Sequence, residues 1–178
     1  MCSSPVTSEV SWLQEPRDPK KTQEDATAAT ETKTDIAPFE FAKVRPPLLT
    51  RGKTSDRLAK AGNLGIGVQV CSADGGETNL HAHPNADSAW MVLAGEAKFY
   101  TVGDREIAHL HKNELVTIPA GTPYWFDVAN KESGENLVIL HITSRLPGVT
   151  EGRIDYEPPA GKLGGVVEEF QVGKFFEG

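Results

Sequence analysis

From Phe39 onward the chain breaks into short runs dense in β-branched and aromatic residues: GIGVQVCSA, TNLHAH, SAWMVLAGEAKFYTV, REIAHLHKNELVTIPAG, PYWFDVAN and ENLVILHITSR. Between them stand DGG, HPNAD, VGD, KN, PAGTP and NKESGE, each carrying the Gly, Asn, Asp or Pro that a tight turn requires. Six or more strands at this spacing, with no helical period between them, predict an all-β fold of antiparallel strands, a sandwich or a barrel. A parallel α/β arrangement is excluded on this reading. The 17 glycines and 12 prolines, against two methionines, fit a turn-rich chain.

Three segments follow from the change of texture. Residues 1–38 form a flexible arm with few apolar residues, in which only Trp12 and Leu13 of SWLQEP offer a docking handle. Residues 39–146 carry the barrel, and residues 147–178 form a Gly- and Pro-rich extension packed on or near it. Its last stretch, VVEEFQVGKFFEG, either adds a strand or wraps over the outside. No internal repeat supports a double barrel.

At 178 residues and 38% hydrophobic composition the chain is one domain able to bury a core. Its 25 acidic and 18 basic residues give a formal charge of −7, which argues against nucleic acid as a partner. No apolar run is long enough to span a membrane and the N-terminus lacks the pattern of a secretory signal, so a cytoplasmic location is expected. Cys2 and Cys71 form no disulfide framework and are expected to be reduced, Cys71 as a small buried hydrophobe.

The chemistry is concentrated in GGETNLHAHPNADSAWMVLAGEAKFY. His81 and His83, two apart on a strand, leave the same face with their bases about 7 Å apart and can converge on one ion. Asp87 follows the Pro84-Asn85 turn and stands either as an ordinary turn aspartate or as a third ligand. Two histidines and one carboxylate form the usual cradle for non-haem Fe(II), and Mn, Ni, Co or Zn occupy related sites. By alternation Trp90 shares a face with Ser88, Phe126 shares one with Tyr124, and Trp125 points out. Glu77 and Asn79 have the parity of the two histidines. His109 and His111 flank Leu110; if Leu110 is a core residue both rings face outward and are inert. His141 lies on a late strand and is a reserve ligand.

The spacing of Gly75, five residues, His81-Ala-His83, four residues, Ser88, six residues, Gly95 resembles the first signature of the cupin superfamily. The stretch from Asn113 to Asn130, with Asn113, five residues, Pro119-Ala-Gly121, two residues, Tyr124, is similar to its second signature. Together they cover roughly residues 60 to 145 and imply a small single-domain cupin, an antiparallel double-stranded β-helix or jelly-roll barrel. The departures are specific. The family pattern places a metal-binding glutamate where Ser88 stands, a histidine where Tyr124 stands and a glycine where Asn113 stands. Asp87, one position early, is the substitute for the missing carboxylate, although a one-residue shift on a regular strand turns a side chain to the other face.

The resemblance implies a metal-dependent enzyme acting on a small organic, aromatic or secondary-metabolite substrate, most simply an oxidoreductase of dioxygenase type with Fe(II). His81, His83 and Asp87 would hold the metal, Tyr124 would be the catalytic residue, and Asn79, Ser88, Trp90 and Phe126 would contact substrate. Two alternatives stand beside it: a non-redox isomerase, cyclase or decarboxylase on the same metal, and a non-catalytic small-molecule-binding cupin. Small single-barrel cupins commonly associate, so a homodimer is expected.

Overall fold

In the computed structural model, residues 39–156 and 168–178 are described. The expectations for the N-terminal arm, including Trp12, Leu13 and Cys2, lie outside the described residues. Eleven strands are present among the described residues: β1 (Pro47–Ala61), β2 (Leu64–Cys71), β3 (His81–Ala82), β4 (Ala86–Ala94), β5 (Ala97–Thr101), β6 (Arg105–Leu110), β7 (Leu115–Ile118), β8 (Trp125–Val128), β9 (Leu137–Arg145), β10 (Ile154–Asp155) and β11 (Glu168–Phe175). Every ladder is antiparallel. None of the helices among the described residues is long and apolar enough to cross a membrane.

The strands make a six-stranded sheet in the order β11-β1-β2-β9-β4-β7, a three-stranded sheet β6-β5-β8 and a two-stranded ladder β10-β3. This is the antiparallel double-stranded β-helix. Its main core lies between the two larger sheets, where Trp90, Val92, Leu137 and Ile139 from one side meet Phe99, Leu110, Tyr124 and Phe126 from the other. Trp90, Phe99 and Phe126 form a ring cluster with centroids 5.0 to 6.3 Å apart, in the tilted geometry that aromatic quadrupoles favour.

A second cluster covers the opposite face of the six-stranded sheet. Val68 and Val70 of β2 and Val138 of β9 point away from the main core and pack with Leu49 beneath Val44, Leu58 and Phe176. The run Leu137-Val138-Ile139 is therefore buried on both faces, which is why it reads as continuously apolar instead of alternating. Asn136 locks this layer: its side-chain Oδ1 accepts from Leu49 N at 2.6 Å and its Nδ2 donates to Leu49 O at 2.9 Å, an oxygen that also accepts from Gln171 Nε2 at 2.9 Å.

Two turn residues of the signatures have conformational reasons to be what they are. Gly95 has φ of 71°, and a Cβ there would lie 2.8 Å from Asn136 O. Asn113 has φ of 70°, left-handed backbone in which Asn is the best-tolerated residue after Gly. Its departure from the family glycine preserves the turn, and its N–H donates to Val92 O at 2.8 Å.

Candidate metal and ligand site

His81 and Tyr124 are joined by a reciprocal backbone pair: His81 N donates to Tyr124 O at 3.0 Å and Tyr124 N to His81 O at 2.8 Å. Directly opposed residues project to one face, so the rings meet with centroids 4.5 Å apart. His83 lies 5.0 Å from His81, ring to ring, at 86°. On the neighbouring sheet Trp90 of β4 is in register with His141 of β9, and the two rings stack at 3.7 Å and 4°. Ser88, two residues before Trp90, shares a 3.2 Å hydrogen bond with His141 Nε2.

These groups surround a cavity of about 440 Å³ whose walls include His81, His83, Trp90, His141, Gln69 and Arg153. Tyr124 sits behind His81 and is buried. The hydroxyl of Tyr124, the indole Nε1 of Trp90 and Oε1 of Gln69 are buried with no hydrogen-bond partner among the described residues. The Tyr124 hydroxyl nonetheless lies near Trp90 and Ser88, whose side chains act on it.

Each of the two clustered histidines is fixed by a backbone carbonyl. His81 Nδ1–H donates to Asn79 O at 2.7 Å, and His83 Nδ1–H donates to Gly152 O at 2.9 Å. This holds both rings in the tautomer whose Nε2 carries the lone pair, the outer-sphere arrangement that orients metal-binding imidazoles. Burial lowers the pKa of His81 to about 4, against the opposing pull of the Asn79 carbonyl. Burial likewise lowers His141 to about 4, assisted by His83 and His81. At neutral pH both rings are uncharged and available as ligands. Burial pushes the Tyr124 phenol up to about 12, with Trp90, Arg153 and Ser88 near enough to act weakly the other way, so it is a proton-bearing donor.

Asp87 does not join them. Ser88 and Trp90 take the inward positions of β4, which turns Asp87 outward, where it is exposed and its Oδ1 accepts from Ala120 N at 2.8 Å. No bulge at the start of β4 returns it: the register with β9 runs unbroken from Ala86 to Val92. Among the described residues, no Asp or Glu lines the cavity. The cavity therefore presents His81 and His83 as its pair of nitrogen donors; His141 does not close with them into a trio of ligand atoms within 4.8 Å of one another, and the described lining does not supply the two-histidine, one-carboxylate set expected with Fe(II).

Of the residues expected to touch substrate, Ser88, Trp90 and Phe126 face the interior and are buried. Asn79 lines the cavity, but its amide is engaged at both ends: Nδ2 donates to Asp155 Oδ1 and Oδ1 accepts from Arg153 Nη2, both at 2.7 Å. Arg153 and Asn79 in turn hold the Asp155 carboxyl down at about 2. Here the extension contributes more to the site than sequence reasoning assigned it: β10 pairs with β3, Gly152 orients His83, and Arg153 forms part of the wall. Nothing in the run GVTEGRIDY marks those contacts, because they depend on a two-residue ladder. His141 had only its place on a late apolar strand to mark it, because Leu137, Val138 and Ile139 are all buried and their parity chooses no face.

Residues 68–143 match the cupin domain family. Among solved structures, the chain is similar to an uncharacterised conserved protein with a double-stranded β-helix domain from Klebsiella pneumoniae, at 17% identity and a TM-score of 0.49, over 60% of this chain and 85% of that one. It is also similar to a cupin-like protein from Thermotoga maritima, at 19% identity and a TM-score of 0.49, over 61% of this chain and 78% of that one. Comparison with curated proteins finds no match. The family match falls on the segment that carries both signatures and most of the observed barrel, so residues 68–143 form a cupin domain.

Proposed function

We propose that this chain is a metal-dependent cupin enzyme acting on a small organic molecule that carries an acidic oxygen. The observation that carries the reading is the pair His81 and His83, each fixed through Nδ1 by a backbone carbonyl, on a cavity with no carboxylate among its described lining residues. His81 and His83 would hold a divalent ion, whose remaining positions would stay open to water or substrate. A bound ion would supply Lewis acidity, and redox chemistry if it is iron. With neutral protein ligands the ion keeps its full charge, so an anionic oxygen is the complementary substrate group. The Tyr124 hydroxyl and the Trp90 indole N–H are the unsatisfied donors beside it. Tyr124 serves as proton donor or hydrogen-bonds a substrate oxygen.

A second reading, a non-catalytic binding protein, is favoured by Ser88 and Tyr124 standing where the family pattern has glutamate and histidine. Metal analysis of protein purified anaerobically without a nickel column separates the two. One equivalent of divalent metal, lost in His81→Ala/His83→Ala with the fold retained, supports the enzyme; a metal-free chain that still binds small carboxylates supports the binding protein. Iron would direct the reaction toward oxidation, and zinc or nickel toward isomerisation, cyclisation or decarboxylation. Tyr124→Phe keeps the ring and removes the oxygen: metal retained with turnover reduced at least about 10²-fold marks a proton donor, whereas lost metal marks a ligand. A homodimer is also proposed, through the edge strand β11, on which Val172 is 98% exposed. A monomeric mass by light scattering would refute it.

A further inference from the structure

We propose that Glu96, His109 and His111 form a second, surface site for one zinc-class divalent cation, separate from the interior histidines. The β5–β6 register pairs Ala97 with Leu110 and Lys98 with His109. Ala97 and Leu110 are buried, so the residues alternating with them face outward: Glu96 falls beside His111 and diagonal to His109 on one exposed patch. One ligand atom from each lies within 4.8 Å of the other two, the only such trio of His, Cys, Asp or Glu among the described residues.

The distances have the scale of a coordination shell. Glu96 Oε2 is 3.0 Å from His109 Nε2 and 3.6 Å from His111 Nδ1, and the two rings lie 4.7 Å apart. Bonds of about 2.0 to 2.2 Å in a tetrahedral site separate ligand atoms by about 3.3 to 3.6 Å, so an ion would take the place of the His109–Glu96 hydrogen bond and draw in ligand atoms that already lie within 4.8 Å of one another. The backbones are already held: Ala129 N donates to Glu96 O at 2.9 Å, and His111 N donates to Glu114 Oε2 at 2.7 Å. Lys98, on the same patch, is directed to Glu106 at 3.4 Å. Two imidazoles and one carboxylate select zinc and its borderline neighbours over calcium or magnesium, which take all-oxygen shells. The exposed patch leaves the fourth position to water. Glu96 thus revises the expectation that His109 and His111 are inert.

The test is calorimetric titration of the full chain with Zn²⁺ alone. In the His81→Ala/His83→Ala background one equivalent binds, and adding Glu96→Gln or His109→Ala weakens it more than about tenfold, since even partners of ligands are worth about 10 to 100-fold. Should that background fail to fold, His109→Ala/His111→Ala in the otherwise unchanged chain removes one equivalent from the total stoichiometry. No saturable binding in the background, or a stoichiometry that none of these outer substitutions changes, overturns the site. Magnesium in place of zinc gives no saturation, and saturation at similar concentration would also overturn it.

Discussion

The chain contains two His-x-His pairs, His81-Ala-His83 and His109-Leu-His111, that differ in sequence only by the residue between them. Spacing makes each pair share a face; it does not choose the face. Leu110 is a full-sized core side chain packed with Phe99 and Phe126, and its burial forces His109 and His111 into solvent. Ala82 is small enough to be covered by β10, which pairs Ile154 with it, so the opposite face of β3 is free to aim His81 and His83 at the cavity. The consequences diverge from there. The interior rings are fixed by backbone carbonyls, while the exterior rings look to one carboxylate oxygen. The same dipeptide spacing thus gives a preorganised pair in one place and a surface cluster in the other.

Removing the anchor is the strongest way to break the comparison. Leu110→Ala costs about 2 to 5 kcal/mol for a buried leucine, lowers the denaturant midpoint and loosens the register that presents His109 and His111. Zinc binding at the outer trio weakens in the folded variant, whereas the interior pair, held from β3 and β10, keeps its metal. Equal loss at both would mean that the two sites share one support.

The next effect is on the pH dependence of stability in the metal-free protein. His81 and His141 are held down to about 4, below the ordinary 6.5, so the unfolded chain takes up protons first; their contribution is complete above 6.5 and is lost as pH falls through about 4. Burial raises Cys71 from 9.0 and, with small opposing effects, Tyr124 from 10.0, both to about 12; their contribution is complete below 9.0 and is lost as pH rises through about 12. Urea midpoints therefore form a plateau between the two limbs. His81→Asn and His141→Asn flatten the acid limb, and a limb unchanged by both would show that these rings are not the buried neutral groups. On the plateau Cys71 stays unmodified by thiol reagents until the chain unfolds.

The alternation that separates Trp90 and Phe126 from Trp125 was legible because each lies in a run with clear period two. So was the outward direction of His109, through Leu110. β1 was not: PLLTRGKTSDRLAKA is heavily charged and becomes a 15-residue strand only because β11 pairs with its first part, Pro47 to Gly52, and β2 with the rest, Lys53 to Ala61. The cover over His83 was illegible for the related reason that β10 has two residues and no pattern of its own. Sequence periodicity reports what one strand buries; it carries little about which distant strand supplies the pairing.

Asp87 gives the smallest effect and the sharpest test of that rule. A carboxylate one position from the family's glutamate is a tempting ligand, but period two puts it on the far side of β4, and the observed register keeps it there. Its work is local, accepting the Ala120 N–H near the Pro119-Ala-Gly121 turn. Asp87→Asn retains an oxygen acceptor at an exposed position, so the change in stability stays within about 0.5 kcal/mol and metal content does not move. Asp87→Ala loses the acceptor and costs about 1 kcal/mol, again without loss of metal. If either variant were purified without the ion that the parent carries, β4 would have to shift by one residue in the loaded protein. Trp90 would then leave the core, and tryptophan fluorescence of parent and variant would differ.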